Sequence, residues 1–295
     1  MRPGTNLHVL TLWQNVPPRR TVDSESGDPG DADREENEVE QHMSPNLNRY
    51  EGRRVLVTGG GSGIGAAIVE SLLDQGCKVA FVDIDEAKSQ QLVADLKAQY
   101  GTGPLFIHCD LKDIPALQAA IARAGKENGD LSVLVNNAAN DQRHKWDEVT
   151  PEGWDDRIAI NMKHVFFAMQ AAAPQMKRAG GGSMVNFGSI SWKLAMGGMP
   201  GYTASKAGIH ALTRSMARDL GPDKIRVNTV LPGWIMTERQ KTLWLTPEAD
   251  AMREAAQCLK DRIQPSDVAR LVLFLASDDS RMCTAQEWTV DGGWA

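Results

Sequence analysis

The feature that most constrains this chain is a glycine-rich turn between a short apolar strand and a helix. Residues 53–58 (RRVLVT) are apolar and β-branched, GGGSGIG spans 59–65, and the helical pattern AAIVESLLDQG follows. In such a unit the glycines let a ligand approach the backbone, and the N–H groups at the helix start attract phosphate. A flexible loop is the alternative, but the flanking elements are those that a phosphate cradle requires. The candidate cradle residues are Gly59, Ser62, Gly63, Ile64 and Gly65.

A carboxylate follows the second predicted strand. Residues 78–82 (KVAFV) form this strand, and Asp83 stands at its carboxyl end, about twenty residues after the glycine turn. A carboxylate there accepts hydrogen bonds from adenosine ribose hydroxyls and repels a 2′-phosphate, which favours NAD over NADP. The alternative is that Asp83 caps the following helix.

Strand and helix patterns then alternate to the end of the chain. The predicted strands are 105–109, 131–135, 183–188, 225–231 and 287–290, and the predicted helices are 86–100, 115–126, 154–178, 201–220 and 266–276. This alternation predicts an α/β fold over residues 49–295: a single Rossmann-type, doubly wound parallel sheet with helices on both faces. Residues 238–260 lack a strand pattern and are interpreted as a mobile helical lid.

The first 48 residues differ from the rest in composition. They hold nine acids and four arginines, a net charge of −5, so about −1 of the formal −6 remains for the body. Without a periodic apolar face, this segment is expected to be a disordered acidic extension, and Met43 is an alternative start. The nearly neutral body argues against nucleic-acid binding.

Targeting and redox features point to a cytoplasmic protein. No stretch has the length of a membrane span, and the acids of the first 48 residues argue against a transit peptide. The histidines and cysteines lack metal-ligand spacing. The cysteines are therefore interpreted as reduced packing residues: Cys77, Cys109, Cys258 and Cys283.

The richest chemistry lies between residues 189 and 206. If a helix begins near Gly201, Tyr202 and Lys206 share one helical face. A nearby cation lowers the pKa of a phenol from about 10, so Tyr202 becomes a candidate acid/base and Ser189 a candidate hydrogen-bond partner of the substrate oxygen. Two solvated side chains are the alternative. Asn161 lies inside a predicted helix, where asparagine is a poor residue, so it is either exposed or functional.

Together these motifs resemble the short-chain dehydrogenase/reductase family over residues 50–295. The resemblance rests on T58-G59-x-x-x-G63-I64-G65, residues 136–139 (NNAA), Asn161, Ser189, Tyr202 and Lys206. It implies that Tyr202 is the acid/base, that Lys206 lowers its pKa and binds the nicotinamide ribose, and that Ser189 positions the reacting oxygen. It also implies that Asn161 holds a water linking Lys206 to solvent.

The resemblance extends the cofactor site beyond the glycine turn. It implies that Asp83 binds the adenosine ribose, that Asp110 and Leu111 flank the adenine, and that Ile235 and Thr237 touch the nicotinamide carboxamide. The remaining implied NAD-contacting residues are Ile84, Asn137, Ala138, Ala139, Pro232 and Gly233.

A finer likeness concerns the substrate. Residues 136–144 (NNAANDQRH) and 187–192 (FGSISW) resemble sugar 1-dehydrogenases, which oxidise an aldose to a lactone. Asn140, Ser191 and Trp192 are then expected near the sugar, and Trp146, Trp192 and Trp234 are candidates for stacking on it. The alternatives are reduction of a 3-oxoacyl thioester and a catalytically silent NAD sensor. The family resemblance also implies a homotetramer or homodimer.

Overall fold

The computed structural model describes residues 50–295. The acidic extension predicted over residues 1–48 and the alternative start at Met43 lie outside the described residues. In the described part, seven parallel strands form one sheet in the order β3-β2-β1-β4-β5-β6-β7. The strands are β1 Arg54–Thr58, β2 Lys78–Asp83, β3 Leu105–His108, β4 Val133–Asn136, β5 Gly182–Phe187, β6 Ile225–Pro232 and β7 Glu287–Val290.

Helices connect the strands and cover both faces of this sheet, which confirms the doubly wound α/β fold. They are α1 Gly63–Asp74, α2 Glu86–Tyr100, α3 Ile114–Asn128, α4 Pro151–Ile158, α5 His164–Arg178, α6 Pro200–Leu220, α7 Glu238–Trp244, α8 Pro247–Ala256 and α9 Pro265–Ala276. The strand order reverses between β1 and β4, which pair directly. Ligands of open α/β sheets bind at such a reversal, beyond the carboxyl ends of the strands.

The central strand β1 shows how the two faces are built. Its side chains alternate, so Leu56 belongs to the hydrophobic cluster under α3, α5 and α6. Val55 and Val57 belong to the opposite cluster, with Ile68 of α1 and Val272 of α9. All five side chains are almost completely buried, which contributes about 1.5–3 kcal/mol for each fully buried side chain. This packing fixes the position of the glycine turn that follows β1.

The long helix predicted over residues 154–178 differs from the observed one. Helical structure begins three residues earlier, at Pro151, because Thr150 caps it by accepting a hydrogen bond from the Gly153 N–H. A π-helical segment, Ala159–Lys163, then separates α4 from α5. Asn161 lies in this segment and donates its side-chain N–H to the Arg157 carbonyl at 3.0 Å. The asparagine that looked out of place in a helix therefore marks a helical irregularity, of the kind often found at functional sites.

The segment predicted as a helical lid forms two helices, α7 and α8, separated by a break at Leu245 and Thr246. Thr237 caps α7 and Thr246 caps α8, each by accepting a backbone N–H with its hydroxyl. Helical structure is thus confirmed for Glu238–Trp244 and Pro247–Ala256, but the prediction is wrong for residues 257–260, which are not helical. The mobility of the lid stays a prediction.

The cysteines only partly follow the expectation. Cys77 and Cys109 are buried in the two hydrophobic clusters, as expected of packing residues. Cys258 is exposed and Cys283 is half-buried, so the prediction of a packing role is wrong for Cys258. Within residues 50–295, no helix has the length and apolar character needed to cross a membrane.

Candidate active site

The turn between β1 and α1 requires glycine at three of its positions. Gly59 and Gly63 adopt left-handed φ angles of 66° and 57°. A Cβ on Gly65 would lie 1.9 Å from the Gly59 carbonyl oxygen. Ser62 precedes α1 without a side-chain capping bond, and no acidic residue occupies the first turn. The N–H groups at the start of α1 are therefore available to an anionic group such as a pyrophosphate.

Asp83 is held at the carboxyl end of β2 by two backbone N–H groups. Its Oδ2 accepts a hydrogen bond from Gly61 at 2.8 Å, and its Oδ1 accepts one from Asp85 at 3.0 Å. The helix cap of α2 is Asp85, which accepts from the Lys88 N–H at 3.1 Å. The alternative that Asp83 caps this helix is therefore wrong. Its carboxylate is an oriented acceptor beside the glycine turn, as a ribose-binding residue must be.

Asn137 follows β4 and braces the glycine turn. Its side-chain Nδ2 donates to the carbonyl oxygens of Thr58 and Gly59, at 3.1 and 3.0 Å. The backbone N–H groups of Asn137 and Ala138 donate to the Thr58 hydroxyl. The ends of β1 and β4 are thus joined at the point where the strand order reverses. Asn137 therefore braces the glycine turn with both its side chain and its backbone N–H, and its place behind the cofactor stays a prediction.

Asn161 connects the π-helical segment with the loop after β4. Its Oδ1 accepts a hydrogen bond from the Asn140 N–H at 2.8 Å, and its Nδ2 donates to the Asn140 carbonyl at 3.1 Å. The side chain is completely buried. Since Nδ2 also donates to Arg157, both of its N–H groups are used, and one acceptor position on Oδ1 remains. The water predicted at Asn161 stays a prediction.

Tyr202 and Lys206 lie on one face of α6, but their electrostatics differ from the prediction. Burial raises the pKa of Tyr202 to about 12, although a hydrogen bond with Ser189 opposes the rise. Burial lowers the pKa of Lys206 to about 7. The Lys206 Nζ donates to the Phe187 carbonyl at 2.6 Å. Burial is therefore the largest influence on the pKa of both groups, and the expectation that Lys206 lowers the pKa of Tyr202 stays a prediction.

The loop after β5 separates the predicted substrate residues. The Ser189 hydroxyl accepts a hydrogen bond from the Ser191 N–H at 3.1 Å. The buried Ser191 hydroxyl has no hydrogen-bond partner among residues 50–295, and Ser191 lines a cavity beyond the carboxyl ends of the strands. Trp192 does not line this cavity: its indole N–H donates to His210 Nε2 at 3.2 Å. The 3₁₀ turn Ile190–Trp192 directs this side chain toward α6, so the structure does not bring Trp192 together with the other predicted substrate residues, and its role at the substrate stays a prediction.

A cavity of about 1080 Å³ lies beyond the carboxyl ends of the strands, large enough for a dinucleotide and a small substrate. Two of the predicted site residues, Asn161 and Trp192, do not line it. The structure brings the others together on its wall: Gly59, Ser62, Gly63, Ile64, Gly65, Asp83, Ile84, Asp110, Leu111, Asn137, Ala138, Ala139, Asn140, Ser189, Ser191, Tyr202, Lys206, Pro232, Gly233, Ile235 and Thr237.

Among the three candidate stacking tryptophans, Trp234 alone lines this cavity, whereas Trp146 is 81% exposed outside it. The sequence reasoning missed further lining residues, namely Asp141, Arg143, Met199, Arg239, Gln240 and Trp294. The Arg143 guanidinium lies 5.3 Å from the centre of the Trp244 ring, which also lines the cavity. Asp141 and Arg143 could have been predicted as lining residues, because these two charged residues follow shortly after Asn140 in the sequence.

Comparisons with known proteins agree with this architecture. The sequence profile of the family described as "Enoyl-(Acyl carrier protein) reductase" matches residues 59–295. The chain is 51% identical over 243 residues to a D-xylose 1-dehydrogenase of Caulobacter vibrioides, covering 82% of this chain and 96% of that protein. It is 52% identical over 241 residues to the "Probable galactose dehydrogenase GalD" of Rhizobium meliloti, covering 82% and 94%.

Solved structures are similar as well. A short-chain type dehydrogenase/reductase from Mycobacterium ulcerans has a TM-score of 0.79 at 28% identity, covering 83% of this chain and 90% of that one. A blue fluorescent protein from a metagenomic library, in complex with NADPH, has a TM-score of 0.77 at 34% identity, covering 84% and 99%. These matches agree with the observed fold and show the family. The chain belongs to the short-chain dehydrogenase/reductase family.

Proposed function

We propose that this protein is an NAD-dependent dehydrogenase that oxidises the anomeric carbon of an aldose to a lactone. The observation that carries the proposal is that Ser189, Tyr202 and Lys206 share one cavity with the glycine turn and Asp83. The names of the two relatives at 51% and 52% identity, a D-xylose 1-dehydrogenase and a galactose dehydrogenase, support the substrate class. Close identity over most of both chains makes a shared substrate class the simplest expectation.

The protein groups supply proton transfer and orientation. Tyr202, as phenolate, accepts the proton of the anomeric hydroxyl, while the hydride on C1 departs and a C=O bond forms. The cofactor, when bound, supplies the hydride-accepting nicotinamide. Ser189 hydrogen-bonds the reacting oxygen. Because the pKa of Lys206 is lowered to about 7, this residue exchanges a proton easily near neutral pH, which suits a relay between Tyr202 and solvent through the water predicted at Asn161.

The residues present fit a dinucleotide. The glycine turn lines the cavity, and α1 begins without a side-chain cap, so a pyrophosphate has both space and donors. Preference for NAD over NADP follows from Asp83, whose oriented carboxylate repels a 2′-phosphate. Lys88 also lines the cavity, but its ammonium forms an ion pair with Asp85 at 2.7 Å and is therefore less available to bind a 2′-phosphate.

A second enzymatic function, reduction of an acyl thioester, is supported by specific observations. The matched family description names an enoyl thioester reductase, and a 3-oxoacyl-[acyl-carrier protein] reductase from Brucella melitensis is a structural neighbour at 31% identity. A 3-oxoacyl thioester reductase would use the same Ser189, Tyr202 and Lys206. A catalytically silent NAD sensor is disfavoured, since it has no need of this complete set.

A substrate panel tests the proposal. The purified protein is incubated with D-galactose, L-arabinose, D-xylose and L-fucose, with NAD or NADP, and formation of the reduced cofactor is followed by absorbance. We expect turnover of at least one aldose with NAD, and a lactone that hydrolyses to the aldonic acid. A 3-oxoacyl thioester with NADPH serves as the comparison. Turnover of the thioester without oxidation of any aldose would contradict the sugar assignment.

We also propose that the protein is a cytoplasmic homodimer or homotetramer that associates through α5 and α6. The partly exposed Phe166 on α5 supports this association, because a contact between subunits would cover it. Light scattering coupled to size-exclusion chromatography measures the mass directly, and a monomer would contradict this part of the proposal.

A further inference from the structure

The cavity holds a carboxylate that the proposed reaction has not used. Asp141, in the loop after β4, lines the cavity, and its side chain is 22% exposed. Its Oδ2 accepts a hydrogen bond from Gln240 Nε2 at 2.9 Å. Its Oδ1 accepts two longer hydrogen bonds from Arg239, at 3.3 and 3.4 Å. Both partners lie on α7, so the loop after β4 and the lid helix meet at this carboxylate.

The contact continues across the cavity through Gln240. The Gln240 Oε1 accepts a hydrogen bond from the indole N–H of Trp234 at 3.0 Å. Trp234 follows β6, so one chain of side chains joins the end of β6, the lid helix and the loop after β4. An amide held at both ends is fixed in orientation, and this fixes the direction of Asp141 Oδ2.

Asp141 also lies near the reacting groups. Its negative charge raises the pKa of both Tyr202 and Lys206, whereas the charge of Arg143 lowers the pKa of Tyr202. A carboxylate has about four acceptor positions. Gln240 and Arg239 occupy three of them, so one remains on Oδ2, in a residue that lines the cavity. An oriented carboxylate with a free acceptor position is suited to a hydroxyl-bearing ligand.

From this geometry we infer that Asp141 recognises one hydroxyl of the sugar and couples that recognition to closure of the lid helix through Gln240. The inference rests on the proposed function and deepens it, because it names the side chain that selects a polyol over a simple alcohol. A hydroxyl that donates to Oδ2 leaves the bond with Gln240 intact, so the sugar is recognised by the closed lid. An alcohol without that hydroxyl leaves the remaining acceptor position on Asp141 Oδ2 without a hydrogen-bond donor.

The test uses Asp141→Asn, with Asp147→Asn as the matched control, since Asp147 is exposed and does not line the cavity. Steady-state constants are measured for the best aldose and for its monodeoxy analogues. We expect Asp141→Asn to lower kcat/KM for the full sugar by about 10- to 100-fold, the range for a hydrogen bond to a charged group. Any effect of the lost charge on Tyr202 and Lys206 is common to all substrates, so the one analogue that lacks the recognised hydroxyl should escape the additional loss of about 10- to 100-fold. The control should match the wild type on every sugar.

A second variant tests the coupling and guards against misfolding of the first. Gln240→Leu removes the amide that donates to Asp141 and leaves the carboxylate in place, so the KM for the sugar should rise. The double variant Asp141→Asn/Gln240→Leu should have a kcat/KM for the sugar no lower than that of Asp141→Asn alone. An equal loss of kcat/KM on every analogue, no loss at all, or additive effects in the double variant would overturn the inference. If the wild type oxidises no aldose, the proposed function fails and the inference fails with it. Aldose oxidation with an unaffected Asp141→Asn overturns the inference alone.

Discussion

The ammonium nitrogen of Lys206 lies 5.6 Å from the centre of the Tyr202 ring and donates its hydrogen bond to the Phe187 carbonyl. The two groups therefore share one buried wall of the cavity without a direct bond. Burial lowers the pKa of the ammonium to about 7 and raises that of the phenol to about 12. Added positive charge in the cavity would favour the phenolate, so the acidity of Tyr202 is expected to depend on what the cavity binds.

Replacement of Tyr202 by phenylalanine is expected to abolish turnover and to leave the affinity for NAD within a few-fold of wild type. The ring still packs on the cavity wall, and only the titrating oxygen is lost. Steady-state kinetics and a fluorescence titration with NAD measure the two effects separately. Activity within tenfold of wild type would contradict the acid/base role.

Lys206→Met is expected to change how stability depends on pH. Because the pKa of Lys206 is lowered in the folded protein, the unfolded chain binds one more proton between pH about 7 and about 10.5. Wild-type stability should therefore rise with pH in this window, relative to the variant, by at most about 1.4 kcal/mol per pH unit. The buried thiols titrate in both proteins, so their effect cancels. Denaturant unfolding at several pH values checks this, and parallel curves would contradict it.

Asp83→Ala is expected to narrow the preference for NAD over NADP. The substitution removes the carboxylate that would bind the ribose and repel a 2′-phosphate, a contribution on the order of 1–3 kcal/mol. The ratio of kcat/KM for the two cofactors is the measurement. Asp113→Ala is the control, because it removes the cap of α3 at a residue that does not line the cavity, and it should lower stability by about 1 kcal/mol with an unchanged cofactor ratio. An unchanged ratio in Asp83→Ala would limit Asp83 to bracing the Gly61 backbone.

Ser191→Ala is expected to separate stability from substrate binding. The Ser191 hydroxyl is buried without a hydrogen-bond partner in the part of the chain that the structure describes, so its removal should leave the melting temperature unchanged or slightly higher. If this hydroxyl binds the sugar, the KM for the sugar should rise by about tenfold, with the KM for NAD unchanged. Thermal unfolding and steady-state kinetics on the same preparation give both values. An unchanged sugar KM would remove Ser191 from the substrate site.

Local sequence was enough for the glycine turn, the order of strands and helices, and the Tyr202–Lys206 face of α6. These features depend on the backbone freedom of glycine, on apolar periodicity and on the helical repeat, all of which act within a few neighbouring residues. Two of the predicted site residues were nevertheless not found on the cavity wall. Asn161 supports the cavity from behind, and Trp192 binds His210 instead.

The tertiary structure alone decided the pKa values and the partners of the polar groups. The pKa of Tyr202 rises because burial, which no local spacing encodes, outweighs the hydrogen bond with Ser189. Asp141 meets Gln240 across 99 residues of chain, so neither sequence neighbourhood indicates the contact. Short-range rules therefore determine which elements and motifs the chain carries. Packing over long sequence distances determines which side chains face the cavity and how strongly they are charged there.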